Sequence, residues 1–328
     1  MSEEFVQPSR RLWAWPVALV AAGVLTALIA WAVWPRGQQR ATLGGGNGVV
    51  QVVAVSPDGA TLATAGESSG VRVWDTATNT TRFTLDGHAG KVTGLAFSPD
   101  GAWLASCGID HAVRLWNVAG GTQSTSIDAA AKSVECVAFS PDGKTLASAG
   151  GDNVVNLWSV PECKPGRILK GHTKRIQSLA FLPDGKTLAS AGDDGVIRLT
   201  NWQTGSPLGT ISLEKHRARE LAVSADGSVI AAAVSGAGLR WWNVGPRTER
   251  VKFQGAGGAL AVAFDRGGKH LASTHEDGTV RLWSAVDGTA IKTLKGHSGP
   301  VFGVGFSPDG KTLVTAGSDG TVNVWDVP

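Results

Sequence analysis

Six groups of residues in this 328-residue chain have types and spacings associated with chemistry. Gly305-Phe306-Ser307-Pro308-Asp309-Gly310-Lys311-Thr312 has the spacing of a phosphate-binding loop, whose backbone amides and lysine cradle phosphates. The run Pro-Asp-Gly-Lys-Thr also occurs at 141–145 and 183–187, with Ala138 and Ala180 in the first glycine position. No helical pattern follows any copy, and the cradle needs a helix N-terminus behind it. The spacing therefore reads as a strand-to-strand turn. Gly66-Glu67-Ser68-Ser69-Gly70 matches the nucleophile-elbow pattern. That device also needs a following helix, and here strand patterns stand on both sides. His88, His172 and His297 suggest a metal, but they open separate, non-adjacent copies of a repeat and cannot share one ion. His275-Glu276-Asp277 has no second histidine four residues on, so the zinc-protease pattern fails. Cys107, Cys136 and Cys163 form no CxxC, haem or zinc spacing. Cys107 fills a slot that is Ala in five other copies, so it reads as a small buried apolar residue. Asn79-Thr80-Thr81 fits a glycosylation acceptor. Neither a catalytic residue, a cofactor site nor a metal site is expected.

The elements that carry these residues recur. Ser-Pro-Asp-Gly opens at Ser56, Ser98, Ser140 and Ser307, with degenerate copies at Leu182, Ser224 and Asp265. In chain order the intervals are 42, 42, 42, 42, 41 and 42 residues. Eighteen residues behind each copy stand Trp74, Trp116, Trp158, Thr200, Trp242, Trp283 and Trp325. A period of 40–45 residues with these marks is that of a propeller blade. Within Asp86–Ile127, alternating apolar residues and turn signals predict strands at Lys91–Phe97, Ala102–Ser106, Ala112–Asn117 and Thr122–Ile127. Proline suits the second position of the intervening turn, and glycine its fold-back. The expected fold is all-β: a seven-bladed propeller of four-stranded antiparallel blades, preceded by one N-terminal transmembrane helix. The last copy ends after its third strand at Pro328, and Gln39–Leu43 aligns with Thr81–Leu85, so that segment is expected to complete the last blade.

Gly87-His88, Ser106, Asp110 and Trp116 resemble the marks of the WD-repeat β-propeller family, across about residues 39–328 and all seven copies. The resemblance implies a hydrogen-bonded structural tetrad of His88, Ser106, Asp110 and Trp116. It implies the same for His297, Thr315, Asp319 and Trp325. The fourth copy has His172, Ser190 and Asp194 but Thr200 in the tryptophan slot, with Trp202 the candidate substitute. The third has Ala130 for histidine. The fifth has Glu214, Ala232 and Gly236, keeps only Trp242, and is expected to be the weakest blade.

Residues 1–11 read as a short tail, 12–34 as a membrane span, 35–38 as a linker and 39–328 as the propeller. Leu12–Trp34 is 23 residues without a charge, long enough as a helix to cross a bilayer core, with tryptophans at both ends. A cleaved signal remains open, because Ala30-Trp31-Ala32 fits a cleavage pattern and Ser9-Arg10-Arg11-Leu12-Trp13 resembles a twin-arginine signal. Arginines flank both ends, so the side on which the propeller lies stays open.

Net charge is +3, and the chain beyond residue 40 holds 26 basic and 25 acidic residues, which gives no footprint for nucleic acid. The family's narrow face is its usual docking surface. Its opening loops here carry Lys91, Lys132, Lys174, Arg175, Lys215, His216, Arg217 and Arg219, a candidate basic rim for an acidic partner segment. The channel-facing position reads Gln51, Thr93, Glu135, Gln177, Arg219, Leu260 and Phe302, which is thin for a catalytic site. The expected function is a single-pass, membrane-anchored, non-catalytic scaffold that binds other proteins, with no small-molecule substrate. The alternative is a ligand-sensing or enzymatic propeller that uses its channel.

Overall fold

The computed structural model describes residues 38–44, 48–130, 132–250, 253, 255 and 257–328. The expected membrane span lies outside the described residues. Among the described residues, no helix is long and apolar enough to cross a membrane. They form 27 strands in seven antiparallel sheets, the blades of a propeller. Blade one comprises Val50–Val55, Thr61–Gly66, Val71–Asp75 and Thr80–Leu85, from the channel outward. Blade two has Val92–Phe97, Trp103–Gly108, Ala112–Asn117 and Thr122–Asp128, within two residues of the strands read from the sequence.

Burial explains the composition of each strand. The second strand of a blade is covered on both faces by neighbouring blades, so Thr61–Gly66 and Val229–Val234 are buried at every position. Only small and β-branched residues fit there in number. The outermost strand touches a neighbour along one stripe, and in Thr80–Leu85 only Leu85 is buried. Seven apolar clusters fill the seven blade junctions; the one between blades seven and one joins Leu43, Val314 and Val324 to Val53, Leu62 and Trp74.

Blade seven is assembled from both ends of the described chain. Val301–Phe306, Thr312–Gly317 and Thr321–Asp326 supply three strands, and Gln39–Gly44 is the outermost. The pairing register is that of the other blades. Trp325 faces Gln39 as Trp74 faces Thr81, and both pairs adjoin the same bulge.

The turns repeat one geometry. Ser56 Oγ donates to Asp58 at 2.5 Å and accepts the Thr61 amide at 2.9 Å, while the Gly59 amide closes the turn on the Ser56 carbonyl at 2.9 Å. Gly59 sits at φ 74°, where a side chain would be strained.

Blade five has three regular strands among the described residues. Its regular strands are Ala218–Val223, Val229–Val234 and Gly238–Asn243. The position of a fourth strand is marked among the described residues by a single bridge, Trp242 to Glu249.

Candidate functional site

The polar groups inside the blades form linked chains. In blade two, Trp116 Nε1 donates to Ser106 Oγ at 2.8 Å, and His88 Nε2 lies 2.8 Å from the same oxygen. His88 Nδ1 is 2.9 Å from Asp110 Oδ2, which also accepts the Ala89 amide at 3.0 Å. A carboxylate can only accept, so Nδ1 carries the proton and Nε2 takes the serine hydroxyl. This connectivity is that of a hydrolytic triad, yet Ser106 is 0% exposed and capped by the indole. It is a satisfied buried network and not a nucleophile. Burial pushes the His88 imidazole below its ordinary value, against the opposing bond and charge of Asp110. Burial pushes the Asp110 carboxyl up, but the Ala89 amide and His88 outweigh it and hold it low.

Blade seven repeats the arrangement. Trp325 Nε1 donates to Thr315 Oγ1 at 2.9 Å, His297 Nε2 is 2.8 Å from that oxygen, and His297 Nδ1 is 3.0 Å from Asp319. In blade four, His172 bonds to Ser190 and Asp194, each at 2.8 Å. Trp202 does not take the missing fourth place. It packs edge-on to Phe181, and its indole N–H has no partner among the described residues. Thr200 and Trp202 share a strand side by alternation, but the strand ends at Asn201, and Trp202 bonds instead through its backbone to Lys186.

Blade six contains a polar chain that the repeat pattern does not reveal. Trp283 Nε1 donates to Ser273 Oγ at 2.8 Å, and His275 Nε2 is 2.8 Å from that oxygen. His275 Nδ1 donates to the Gly257 carbonyl at 2.9 Å. This imidazole comes from the strand end, where blades two and seven have Gly108 and Gly317. A Cβ on Gly317 would lie 2.7 Å from His297 Nδ1, so the loop histidine already occupies that space. Blade six has Gly255 in the loop slot, and the strand-end residue takes over the role. The signal was available: a histidine in the slot that is glycine in five copies, in a copy without the loop histidine.

The motifs with chemical spacing are consumed by the fold. At 305–312 the Gly310 amide bonds to the Ser307 carbonyl, the Lys311 amide to Asp309 and the Thr312 amide to Ser307 Oγ. The strand Thr312–Gly317 follows, so those amides cannot cradle a phosphate. Ser68 lies in an exposed loop between two strands. Cys107 is 0% exposed, and burial pushes its thiol up to about 12.

The rim residues divide. Arg175, Arg217 and Arg219 gather at one mouth of the central channel with Gln177, Asp193 and Ser235, around a space of about 410 Å³. The adjoining channel section, about 480 Å³, is lined by the whole ring read from the sequence, Gln51, Thr93, Glu135, Gln177, Arg219, Leu260 and Phe302, and by Lys91. Arg175 pairs with Glu135 at 3.4 Å, and Arg219 approaches Glu276 at 3.8 Å. Both arginines remain about half exposed, so these pairs screen the charge without burying it. Lys132, Lys174 and Lys215 are exposed but line neither space. His216 is half-buried, its Nδ1 3.0 Å from the Ser235 carbonyl, and it lines neither space.

Glu220 in the channel wall is a further titratable group that the sequence did not single out. Its Oε2 accepts the Val262 amide of the next blade at 3.1 Å, and burial pushes its carboxyl up to about 8. Glu220 aligns with Val52, Gly94, Cys136, Ser178, Ala261 and Gly303, and nothing local sets it apart.

Blade geometry and the tetrads define a repeat propeller with a structural polar core. The family model for the WD domain, G-beta repeat, matches residues 37–75, 79–117, 121–159, 163–201, 248–284 and 288–326. The chain belongs to that family. The unmatched stretch contains blade five's three regular strands, where Glu214, Ala232 and Gly236 replace three tetrad residues and only Trp242 is kept. No curated protein matches the chain.

Proposed function

We propose that the chain is a membrane-tethered scaffold whose propeller captures an acidic segment of a partner protein at the channel mouth. The family's common use of this fold for protein binding supports the class of function. The observation that carries the site is the convergence of Arg175, Arg217 and Arg219 on one opening. Three guanidiniums, partly screened by Glu135 and Glu276, suit a multidentate carboxylate partner better than a single small anion. The tether rests on the charge-free stretch 12–34.

Crosslinking in intact cells, detergent extraction and identification of co-purifying proteins test the reading. The Arg175→Glu/Arg217→Glu variant is expected to lose a specific protein set at unchanged expression. Undiminished capture would remove the channel mouth as the docking site. Alkaline carbonate extraction tests the tether separately: the chain is expected in the membrane pellet, and release would overturn anchoring.

A further inference from the structure

Each blade packs on the preceding one through the same positions, so the junctions can be compared residue by residue. One position ends the innermost strand. It is phenylalanine in five blades and valine in blades one and five, as Val55 and Val223. A second lies two residues beyond the tryptophan slot. It is valine or tryptophan in five blades, but Thr76 in blade one and Ala285 in blade six. The backbone supports the equivalence, because the amides of Thr76, Val118 and Val327 bond to the matching carbonyls of Ala60, Ala102 and Lys311, at 3.1, 3.0 and 2.8 Å.

Only the junction of blades seven and one lacks bulk at both positions. Thr76 Oγ1 also donates to the Gly59 carbonyl at 2.6 Å, which commits the hydroxyl to the turn. The structure holds a cavity of about 310 Å³ at this junction. The blade five–six junction, short only at Ala285, has a more open recess of about 390 Å³. The floor of the first cavity is apolar: Leu43, Leu62, Trp74, Val314 and Val324, all buried. Its rim carries Asp58, Asp75 and Asp309 against Arg40. Oδ1 of each aspartate is engaged within its own turn, by Ser56, Thr78 and Ser307 respectively, and no other described residue bonds to Oδ2. Arg82 and Lys311 lie close enough to these carboxylates to favour their charged form without lining the cavity. Gln39–Gly44, which contributes Leu43 and Arg40, is the outermost strand of its sheet and has a free pairing edge among the described residues. Such an edge accepts a peptide backbone.

We infer that this junction is a second docking site, for a partner peptide that inserts one large apolar side chain and sets an adjacent lysine or arginine against the open carboxylate oxygens of Asp58, Asp75 and Asp309. It shares no lining residue with the channel mouth, so it stands or falls apart from the function proposed above.

The probe is a displayed library of random dodecapeptides, selected on the full chain and counter-selected on Val55→Phe/Thr76→Val. That variant gives blade one the residues that most other blades already carry, and it is expected to melt no lower than the parent. Enriched peptides are expected to pair Leu, Phe or Trp with a nearby Lys or Arg. They should bind the filled variant at least tenfold more weakly, bind Asp58→Asn/Asp309→Asn several-fold more weakly, and bind Arg175→Glu/Arg217→Glu unchanged. Failure to enrich any peptide, or equal binding to the filled variant, would overturn the site. Should the filled variant misfold, the aspartate variant decides: undiminished binding to it would overturn the charged half of the recognition and with it the inference.

Discussion

The buried hydroxyls have unequal burdens at the scale of single residues. Ser106 Oγ serves both Trp116 and His88, whereas Ser148 Oγ serves only Trp158 Nε1, at 2.9 Å. Replacing either by alanine removes little volume but leaves buried groups without partners. Each such group costs about 1–3 kcal/mol. Ser106→Ala is therefore expected to destabilise by about 2–4 kcal/mol and Ser148→Ala by about 1–2 kcal/mol, read from chemical denaturation. Equal losses would mean that His88 finds another donor. The residues of this network were legible wherever the repeat keeps them in place, as in blades two and seven. They were missed where the role moved, since His275 reaches Ser273 from a slot that the repeat gives to glycine, and only comparison of that slot across the copies marks it. Nor could alternation along a strand show that Trp202 lies beyond the strand's end.

Blade five shows at the scale of elements how one repeat can lose its polar core and remain packed. Ala232 and Val234, both 0% exposed, stand where other blades have a hydroxyl and a strand-end glycine or histidine, and Trp242 closes an apolar cluster over them. The period located this blade in the sequence, but the bridge from Trp242 to Glu249 depends on pairing that no local pattern encodes. Its innermost strand also carries Glu220, which bonds across to blade six. The folded carboxyl titrates near 8, above its ordinary value of 4.5, because burial disfavours the charge. A raised acid holds its proton in the folded state, so its contribution is fully present below about pH 4.5. It declines as pH rises through 8, where folding must bury an anion. Glu220→Gln keeps an acceptor for the Val262 amide and cannot ionise. The variant is expected to match the parent near pH 4 and to exceed it at pH 8–9 by on the order of 2–3 kcal/mol. Parallel stability curves for the two proteins across this range would show that the carboxyl ionises without cost.

Closure is what distinguishes blade seven from the others at the scale of the whole propeller. The repeat spacing made the ring legible, because seven like units have no other way to cover their faces. The junction cavity was not legible as such, since two short residues of blade one, Val55 and Thr76, leave a space only where ring closure sets them against blade seven. Leu43 and Leu85 occupy the same place in the outermost strands of blades seven and one, and both are buried, at 6% and 3% exposure. Aspartate at either site places a charge in an apolar junction, and both variants are expected to lose about 3–5 kcal/mol. Their consequences should then diverge. The strand that contains Leu85 is joined to its sheet neighbour by a short turn, so a detached strand stays at high local concentration. The strand that contains Leu43 meets its neighbour, Thr321–Asp326, across almost the whole propeller sequence. Its release uncovers the edge of Thr321–Asp326, and an uncovered edge pairs with other chains. Leu43→Asp is therefore expected to associate with rising concentration in sedimentation experiments, at temperatures well below its melting point, while Leu85→Asp stays at the parent's size. If both variants sediment as the parent does, the ring holds without its outermost closing strand, and the apolar cluster between blades seven and one closes it alone.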